Sequence, residues 1–221
     1  LLAAAGDAGL VRFWDARGGA ALGGFAAHAG AVTAVAFAPD GRTLATAGDD
    51  GAVRLWDLAT GDLRETLPGH DGGATAVAVA LTGHRGPVTC VAFGPTGQAV
   101  ASGGMDQTVR VWHAGTGKSV VSGRGHDKVV TAAAFGPDGR TLATGGGDGL
   151  TRVWDLSTRK PVRTLPGHAL AVSALAFTPD GRKLATASWD CSVRLWDLGG
   201  EKAVTLRGHT ENVTCVAFSP D

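Results

Sequence analysis

The sequence has no surplus of either charge, because 20 Lys and Arg residues among its 221 residues face 20 Asp and Glu residues. A protein that wraps nucleic acid or lies on an acidic membrane needs a basic surplus, so the balance argues against both functions. No apolar run approaches the roughly 20 residues that cross a bilayer, and the start of the chain lacks the basic segment of a secretory signal. We therefore expect a cytoplasmic protein without nucleic-acid or membrane partners.

Cysteine is scarce as well. Cys90, Cys191 and Cys215 make an odd number and form no CxxC pair. A disulfide framework is therefore not expected, and a reducing compartment is favoured. Cys90 and Cys215 occupy the same position in two copies of the motif VTCVAF, which predicts that both lie in the core. No group of side chains has metal-ligand spacing, so neither a metal nor another cofactor is predicted.

Tyrosine is absent and charged residues make up only 18% of the chain, whereas there are 35 glycines and 9 prolines. Glycine and proline at this level oppose long helices and favour short strands joined by tight turns. The 44% of apolar residues are enough to form a core, so disorder is not expected. The composition favours an all-β fold.

One sequence unit recurs along the chain, and such self-similarity predicts a repeat architecture. Five copies end in a motif of the type VRLWD, and their tryptophans are 42, 56, 42 and 42 residues apart. A Gly-His pair precedes most copies. The five tryptophans are Trp14, Trp56, Trp112, Trp154 and Trp196.

The second copy shows the internal order of the unit. Its strand-like runs cover 32–38, 43–47, 53–58 and 63–67. The Pro-Asp-Gly-Arg segment at 39–42 is typical of a tight turn, because Pro fixes φ and Gly allows a positive φ. The unit is therefore predicted to be a four-stranded antiparallel meander, whose two faces are buried only when it stacks on neighbouring units.

The GH and WD motifs at this period resemble those of the WD40-repeat family. The resemblance implies a β-propeller, in which four-stranded antiparallel blades surround a central channel. We expect about five blades' worth of sequence, either as an excerpt of a longer propeller or as a five-bladed ring. The expected divisions of the propeller, 1–221, are a partial blade lacking its first strand at 1–27, blades at 28–69, 84–125, 126–167 and 168–208, a vestigial insert at 70–83, and the first strand of a closing or next blade at 209–221.

The resemblance also implies a buried hydrogen-bond relay of His, Ser or Thr, Asp and Trp in each blade. The Asp accepts from the His, the His meets the hydroxyl, and the hydroxyl accepts from the indole N–H. An Asp, His and Ser set also resembles a hydrolase triad, but its repetition in four blades with a Trp donor favours a structural role. The four matching sets are His28, Thr46, Asp50 and Trp56; His84, Ser102, Asp106 and Trp112; His126, Thr144, Asp148 and Trp154; and His168, Thr186, Asp190 and Trp196.

Three features depart from the repeat. The first copy has Ala4 and Ala8 in place of the hydroxyl and the Asp, so its relay is broken and we expect that blade to be the weakest. His113 replaces the Asp of one WD motif, which we interpret as drift at the surface. The insert at 70–83 is predicted either to supply an outer strand through residues 76–81 or to form a loop.

The resemblance implies a non-catalytic protein- or peptide-binding scaffold in a regulatory or signalling assembly. Arrays of this type often follow a kinase or a nucleotide-switch domain, and the composition is compatible with such a fusion. One alternative is an enzymatic propeller, which would need an unrepeated cluster of acids, histidines or metal ligands in the channel. The other is a nucleic-acid-binding propeller that uses the arginine two positions before each Trp, although overall neutrality favours packing between blades for these side chains. These arginines are Arg12, Arg54, Arg110, Arg152 and Arg194.

In the family, partners often dock on the face formed by the loops before the first strands and the turns between the second and third strands. The matching positions are the residue before each relay Asp and the residues that flank the valine opening each first strand. We expect Trp189, which lies outside the repeat register, to anchor a peptide, with Met105 and Val129 widening the apolar patch. The alternative is that Trp189 only covers the end of its own blade. The other predicted partner-binding residues are Asp49, which would contact a basic group, Thr131 and Pro87.

Overall fold

The computed structural model describes residues 1–67, 83–200 and 202–219. Within these ranges the chain forms 19 β-strands and no helix, arranged as one three-stranded and four four-stranded antiparallel sheets. Each sheet is a meander of consecutive strands. The predicted all-β architecture of propeller blades is thereby confirmed.

The sheets are named blades 1 to 5 in chain order. Blade 1 consists of β1 (Leu2–Ala5), β2 (Leu10–Trp14) and β3 (Ala21–Ala26). Blade 2 consists of β4 (Val32–Phe37), β5 (Thr43–Gly48), β6 (Val53–Asp57) and β7 (Leu63–Leu67). Blade 3 consists of β8 (Val88–Phe93), β9 (Ala99–Gly104), β10 (Thr108–His113) and β11 (Ser119–Arg124). Blade 4 consists of β12 (Val130–Phe135), β13 (Thr141–Gly146), β14 (Thr151–Asp155) and β15 (Lys160–Leu165). Blade 5 consists of β16 (Val172–Phe177), β17 (Lys183–Ser188), β18 (Ser192–Asp197) and β19 (Ala203–Arg207).

The strands of blade 2 begin at the residues predicted from the sequence and end within one residue of the predicted positions. The turn between β4 and β5 explains the sharp boundary. Gly41 has a φ of 66°, and Oδ1 of Asp40 accepts a hydrogen bond of 2.8 Å from the backbone N–H of Arg42. The Asp40 side chain therefore accepts from a backbone N–H inside the turn, and the chain reverses direction within the Pro-Asp-Gly-Arg segment.

The core lies between successive blades rather than inside a single sheet. Between blades 1 and 2, Val11 packs in one cluster with Leu44 and Trp56. The next interfaces follow the same rule, since a third-strand valine such as Val153 packs against a second-strand leucine such as Leu184. Each blade thus supplies one wall of the core of its neighbour, as expected for units that cannot bury both faces alone.

A side-chain hydrogen bond also joins the innermost strands of neighbouring blades. Each of the strands β4, β8, β12 and β16 has a register shift immediately after its first residue. The hydroxyl at this bulge donates a hydrogen bond to a backbone carbonyl of the next innermost segment, as Thr131 does to Val172. The other pairs are Thr33 with Val88, Thr89 with Val130 and Ser173 with Val213.

The segment 209–219 belongs to no strand in the described part of the chain. Val213 nevertheless is buried and accepts the hydrogen bond from Ser173, so it lies where a next innermost strand would begin. The prediction that both motif cysteines are buried is wrong for Cys215, which is exposed, and correct for Cys90, which is 8% exposed. The reason is local, because 209–219 pairs with no second strand within the described ranges.

The divisions of the chain at 1–27, 28–69, 84–125, 126–167, 168–208 and 209–221 remain predictions. The insert is predicted at 70–83, and its residues 70–82 lie outside the described residues. The outer strand predicted at 76–81 also lies outside the described residues.

Candidate functional site

Four blades contain a connected set of His, hydroxyl, Asp and Trp side chains at the end of the blade where the first strand begins. In blade 4, Nδ1 of His126 lies 3.0 Å from Oδ1 of Asp148, and Nε2 lies 2.9 Å from Oγ1 of Thr144. Nε1 of Trp154 lies 2.9 Å from the same hydroxyl. The equivalent distances in blades 2, 3 and 5 are 2.8–3.0 Å for His to Asp, 2.7–2.8 Å for His to hydroxyl, and 3.0–3.1 Å for Trp to hydroxyl. The structure thus brings together each of the four predicted sets.

The donors and acceptors in this relay can be ordered from chemistry. The indole N–H of Trp154 can only donate, so Oγ1 of Thr144 accepts from it. The Thr144 hydroxyl then donates to Nε2 of His126, and the remaining N–H on Nδ1 donates to Asp148. This assignment makes the imidazole neutral with its proton on Nδ1, so Nη1 of Arg152, 2.8 Å from Nδ1, contacts the ring without donating to it. In this assignment every polar hydrogen of the set is bonded inside the blade.

The relay carboxylates gain a further partner in one of two ways. In blades 3 and 5 the hydroxyl two positions after the Asp donates to it, over 2.8 Å from Thr108 and 2.6 Å from Ser192. In blades 2 and 4 that position holds Ala52 and Leu150, which have no donor side chain. There the arginine four positions after the Asp forms the bond instead, over 2.6 Å and 3.0 Å. The relay carboxylate therefore accepts an additional hydrogen bond in all four blades, from a hydroxyl in blades 3 and 5 and from a guanidinium in blades 2 and 4.

The pKa values in the relay follow from burial and hydrogen bonding. Burial lowers the pKa of His126 below its ordinary value and outweighs the opposite effect of Asp148; the pKa values of His28 and His168 are lowered for the same reason. Burial alone would raise the pKa of Asp148, but bonds from the backbone N–H of Asp127, from His126 and from Arg152 lower it to about 2. In blade 4 the relay is thus a neutral imidazole beside an ionised carboxylate at neutral pH.

A glycine two positions before the relay Asp lets the imidazole approach the turn in three blades. A Cβ on Gly146 would lie 2.3 Å from Nδ1 of His126 and 2.5 Å from Oδ1 of Asp148. A Cβ on Gly48 would lie 2.3 Å from Nδ1 of His28, and a Cβ on Gly104 would lie 2.8 Å from Nδ1 of His84. The glycine run at 145–149 therefore serves the end of β13 and the turn that carries the relay Asp.

Blade 1 holds Ala4 on β1 and Ala8 in the turn before β2, where the relay hydroxyl and Asp stand in the other blades. Leu2 occupies the position that Leu44 has in blade 2. Leu2 is 56% exposed, whereas Leu44 is fully buried. Blade 1 instead contacts blade 2 through aromatic rings, with the centroids of Phe25 and Trp56 4.3 Å apart. The blade is held by apolar contact without a polar relay.

The predicted partner-binding positions come together at the relay end of the blades. The residue before each relay Asp donates a backbone hydrogen bond to the residue before the opening valine: Trp189 to Ala171 over 3.0 Å, and Met105 to Pro87 over 2.9 Å. Gly147 donates to Val129 over 2.8 Å in the same way, and Asp49 to Ala31 over 3.0 Å. The second-to-third-strand turns and the loops before the first strands therefore form one continuous surface.

The largest side chain of this surface is Trp189, which is 46% exposed although the relay tryptophans are at most 7% exposed. Leu170 belongs to the loop that accepts the Trp189 backbone bond, and it is 53% exposed. Sequence reasoning missed Leu170. The available signal was its position two residues after a relay His, where blades 2 and 3 have Gly30 and Gly86.

Met105, 59% exposed, lies on blade 3, two blades away from Trp189. The turn between them, on blade 4, carries Gly147, whose Cβ would lie 3.0 Å from Cγ1 of Val129. The surface of blade 4, formed by Gly147 and half-buried Val129, therefore lies between the exposed side chains of Met105 and Trp189. Pro87 is half-buried beside Met105, and Asp49 is exposed on the neighbouring blade 2.

Thr131 differs from the other predicted partner-binding residues. Its hydroxyl donates to the backbone carbonyls of Gly145, over 3.0 Å, and of Val172 on the next blade. The side chain is thus engaged in joining blades 4 and 5. Among the predicted residues, Trp189, Met105 and Asp49 are exposed, while Thr131 has its hydroxyl turned to the protein.

Four of the five arginines that stand two positions before a Trp contact relay groups of their own blade, whereas sequence reasoning had favoured packing between blades for these side chains. Arg54 and Arg152 bind relay acids, as described above. The guanidinium carbons of Arg110 and Arg194 lie 5.9 Å and 6.0 Å from the ring centroids of Trp112 and Trp196. Arg12 is exposed on blade 1.

Within the described ranges, no group of three or more His, Cys, Asp or Glu side chains is arranged to hold a metal ion. No helix in the part of the chain that the structure describes is long and apolar enough to span a bilayer.

Comparison with known proteins gives one family. The sequence model described as "WD domain, G-beta repeat" (WD40) matches residues 19–57, 75–113, 117–155, 159–197 and 200–221. The first four matches run from before the position of the Gly-His pair to the end of the WD position, and the fifth covers the Gly-His pair at 208–209. Together the matches cover well over half of the chain. No curated protein matches the sequence.

Proposed function

Because the chain belongs to the WD40 (WD domain, G-beta repeat) family, we propose that it is a non-catalytic scaffold that binds a protein or peptide on the relay end of its blades. Repeats of this family generally mediate protein–protein interactions. We place the scaffold in a cytoplasmic regulatory or signalling assembly, in which a kinase or nucleotide-switch domain is a suitable fusion partner.

The observation that carries the proposal is the exposure of Trp189. An indole in the turn before a relay Asp is not needed for packing, because blades 2, 3 and 4 have Asp49, Met105 and Gly147 at that position. Exposed Trp and Met side chains are enriched at the centres of protein interfaces, where they bury a large apolar area. Leu170 enlarges the apolar area beside Trp189.

The support under this surface is rigid. Oδ2 of Asp190 accepts a bond of 3.0 Å from the backbone N–H of Ala169, which ties the loop bearing Leu170 to the turn bearing Trp189. The relay bond of 2.9 Å from His168 to Asp190 fixes the same turn to the blade. A preorganised surface loses little conformational entropy on binding, which favours affinity.

The chemistry of the surface suits a peptide with a bulky apolar residue and a cationic residue. Trp189 and Leu170 would bury the apolar side chain, and Gly147 leaves room for the backbone to cross blade 4. Asp49 is exposed and makes no ion pair within the described ranges. Its carboxylate would attract the cationic residue at the other side of the surface.

Selection from a random peptide library displayed on phage, with the immobilised chain as bait, tests the proposal. Selected peptides should protect the backbone amides around 104–107, 146–149 and 188–191 from hydrogen exchange. Enrichment of apolar and cationic residues in the same peptides is expected. Peptides that protect only other parts of the chain would overturn the assignment of the surface.

A further inference from the structure

A groove lies between blades 4 and 5, at the end of β14 that is opposite to the relay. It has a volume of about 890 Å³. Its apolar lining includes Trp154, Val162, Phe177 and Leu198. Its polar lining includes the carboxylates of Asp138, Asp155 and Asp180.

The equivalent groove between blades 2 and 3 has a volume of about 290 Å³. The register of the outer strands shows what fills it. Trp56 pairs with Leu63 in blade 2, and Trp154 pairs with Pro161 in blade 4. The next residue is therefore Arg64 in blade 2 and Val162 in blade 4.

In blade 2 the Arg64 side chain occupies the groove. Its Nε lies 2.9 Å from Oδ2 of Asp57, its Nη2 contacts the same oxygen, and its Nη1 lies 3.2 Å from Oγ1 of Thr43. The guanidinium thus binds one carboxylate and one hydroxyl. Two N–H groups of Arg64 converge on one carboxylate oxygen, and such charge-assisted bonds are stronger than bonds between neutral groups.

Blade 4 has the same hydrogen-bond acceptors as blade 2, but it has no arginine at the position of Arg64. Asp155 stands where blade 2 has Asp57, and Thr141 stands where blade 2 has Thr43. Oδ1 of Asp155 accepts bonds of 2.8 Å and 2.6 Å from the backbone and hydroxyl of Ser157. No guanidinium of the described residues binds this carboxylate, whose donors are the Ser157 side chain and the backbone N–H groups of Ser157 and Thr158. Val162, 60% exposed, leaves the space of the arginine open.

Two further differences make the groove of blade 4 more suitable for a cationic side chain with an apolar stem. Asp180 lies in its rim at the position of Thr96, which adds a carboxylate. Leu198 lies at the position of Ala114, which adds apolar surface for methylene groups.

We propose that this groove is a second docking site, which receives an arginine side chain carried by a partner protein. The guest guanidinium binds Oδ2 of Asp155 and Oγ1 of Thr141, in the manner of Arg64 on Asp57 and Thr43. Its stem lies along Val162 and Leu198. The site is at the opposite end of the strands from Trp189, so the scaffold can hold two partners at once.

The two arginines that line the groove are compatible with this guest. The guanidinium of Arg163 donates to the carbonyls of Asp197, over 3.2 Å, Leu198, over 3.0 Å, and Gly200, so it remains on the groove wall. Arg140 has its counterpart in Arg42, which does not prevent Arg64 from binding in blade 2. Three carboxylates and two guanidinium groups line the groove, and the exposed Asp180 also pairs with Arg182 over 4.0 Å, so Asp155 is the carboxylate left for the guest.

NMR titration with N-acetyl-arginine methylamide and with its neutral citrulline analogue tests the site. The arginine probe should shift the backbone amide signals of Thr141, Asp155 and Val162 in a saturable way. The citrulline probe should bind at least about threefold more weakly, which is the size expected for an exposed ion pair. Equal apparent affinity of the two probes would overturn the proposal.

Two variants complete the test. Asp155→Asn should abolish the preference for arginine over citrulline, and Val162→Arg should block the probe because the groove is then filled from within the chain. A Val162→Arg protein that still binds the probe like the parent chain would contradict the proposal. Trp189→Ala should leave this titration unchanged, so failure here is distinguishable from failure of the surface around Trp189.

A double-mutant cycle gives a measurement that does not depend on the probe. The coupling between Val162→Arg and Asp155→Asn in urea unfolding should match that between Arg64→Val and Asp57→Asn. Absence of coupling in blade 4, with clear coupling in blade 2, would show that the groove does not accept a guanidinium.

Discussion

The hydroxyl of Ser192 donates a hydrogen bond of 2.6 Å to Oδ1 of Asp190. In blade 4, Leu150 stands at the position of Ser192, and Arg152 donates to the relay Asp148 over 3.0 Å instead. A short hydroxyl and a long guanidinium thus replace each other as partners of the equivalent, half-buried relay acid. The repeat tolerates variation at both positions because only the satisfaction of the carboxylate is required.

The exchange of hydroxyl for guanidinium predicts that the arginine and the relay Asp are energetically coupled in blade 4 but not in blade 5. The double-mutant cycle of Arg152→Ala with Asp148→Asn should give a coupling free energy of about 0.5–1 kcal/mol. The cycle of Arg194→Ala with Asp190→Asn should give a value near zero, since Arg194 lies over Trp196 rather than on the acid. Urea unfolding measures both. Equal couplings in the two blades would contradict the exchange.

Loss of a relay acid should destabilise the fold. Asp148→Asn leaves the Nδ1 proton of His126 with a weaker acceptor and should lower the free energy of unfolding by about 1–3 kcal/mol. Asp62→Asn is the matched control, because Asp62 is an exposed turn residue and should change stability little. A change in the control as large as that in the relay variant would refute the structural role of the relay.

Stability should fall as the solution becomes acidic, in two steps. The pKa values of His28, His126 and His168 are lowered by burial, so below about pH 6.5 the unfolded chain binds protons that the folded chain does not. The pKa of Asp148 is lowered to about 2, so the stability it contributes above about pH 4 is lost as the pH falls towards 2.

Urea midpoints measured between about pH 7.5 and pH 3 check this dependence. The midpoint should decrease throughout this range, and Asp148→Asn should reduce the loss below about pH 4. A midpoint that stays constant or rises from neutral pH to pH 5 would show that the histidines are not held neutral by the fold.

Blade 1 should exchange its amide hydrogens faster than blade 4. Strand β1 has Ala4 at the relay position and mostly exposed residues, whereas five of the six residues of β13 are buried. Local opening free energies follow such differences in buried contacts. Hydrogen exchange followed by mass spectrometry should therefore show less protection for β1 and β2 than for β13 and β14. Uniform protection would mean that the relay adds nothing to local stability.

The blade was predictable from the sequence because its signals are local and repeated. Alternation in Val32–Phe37 and the turn at 39–42 specify strand and reversal without reference to the rest of the fold. The relay was predictable because the same spacing recurs in four copies. Contacts that depend on one copy only were not predictable in this way.

Three features needed the structure. The engagement of Thr131 with Val172 depends on a bulge that places the hydroxyl beside the next blade. The exposure of Leu170 depends on its loop, and its residue type alone suggests core. The open groove of blade 4 depends on strand pairing, since only the register shows that Val162 occupies the place of Arg64. Each is a relation between residues that no linear spacing encodes.

The most direct test of the account uses peptides selected on the parent chain and measures their Kd for Trp189→Ala, together with its melting temperature. Leu206→Ala is the control, because Leu206 is 52% exposed on β19 of the same blade. We expect Trp189→Ala to weaken binding by about 2 kcal/mol or more, roughly 30-fold, with a nearly unchanged melting temperature. Intact binding by Trp189→Ala, with a melting shift as large as that of Asp148→Asn, would contradict the account.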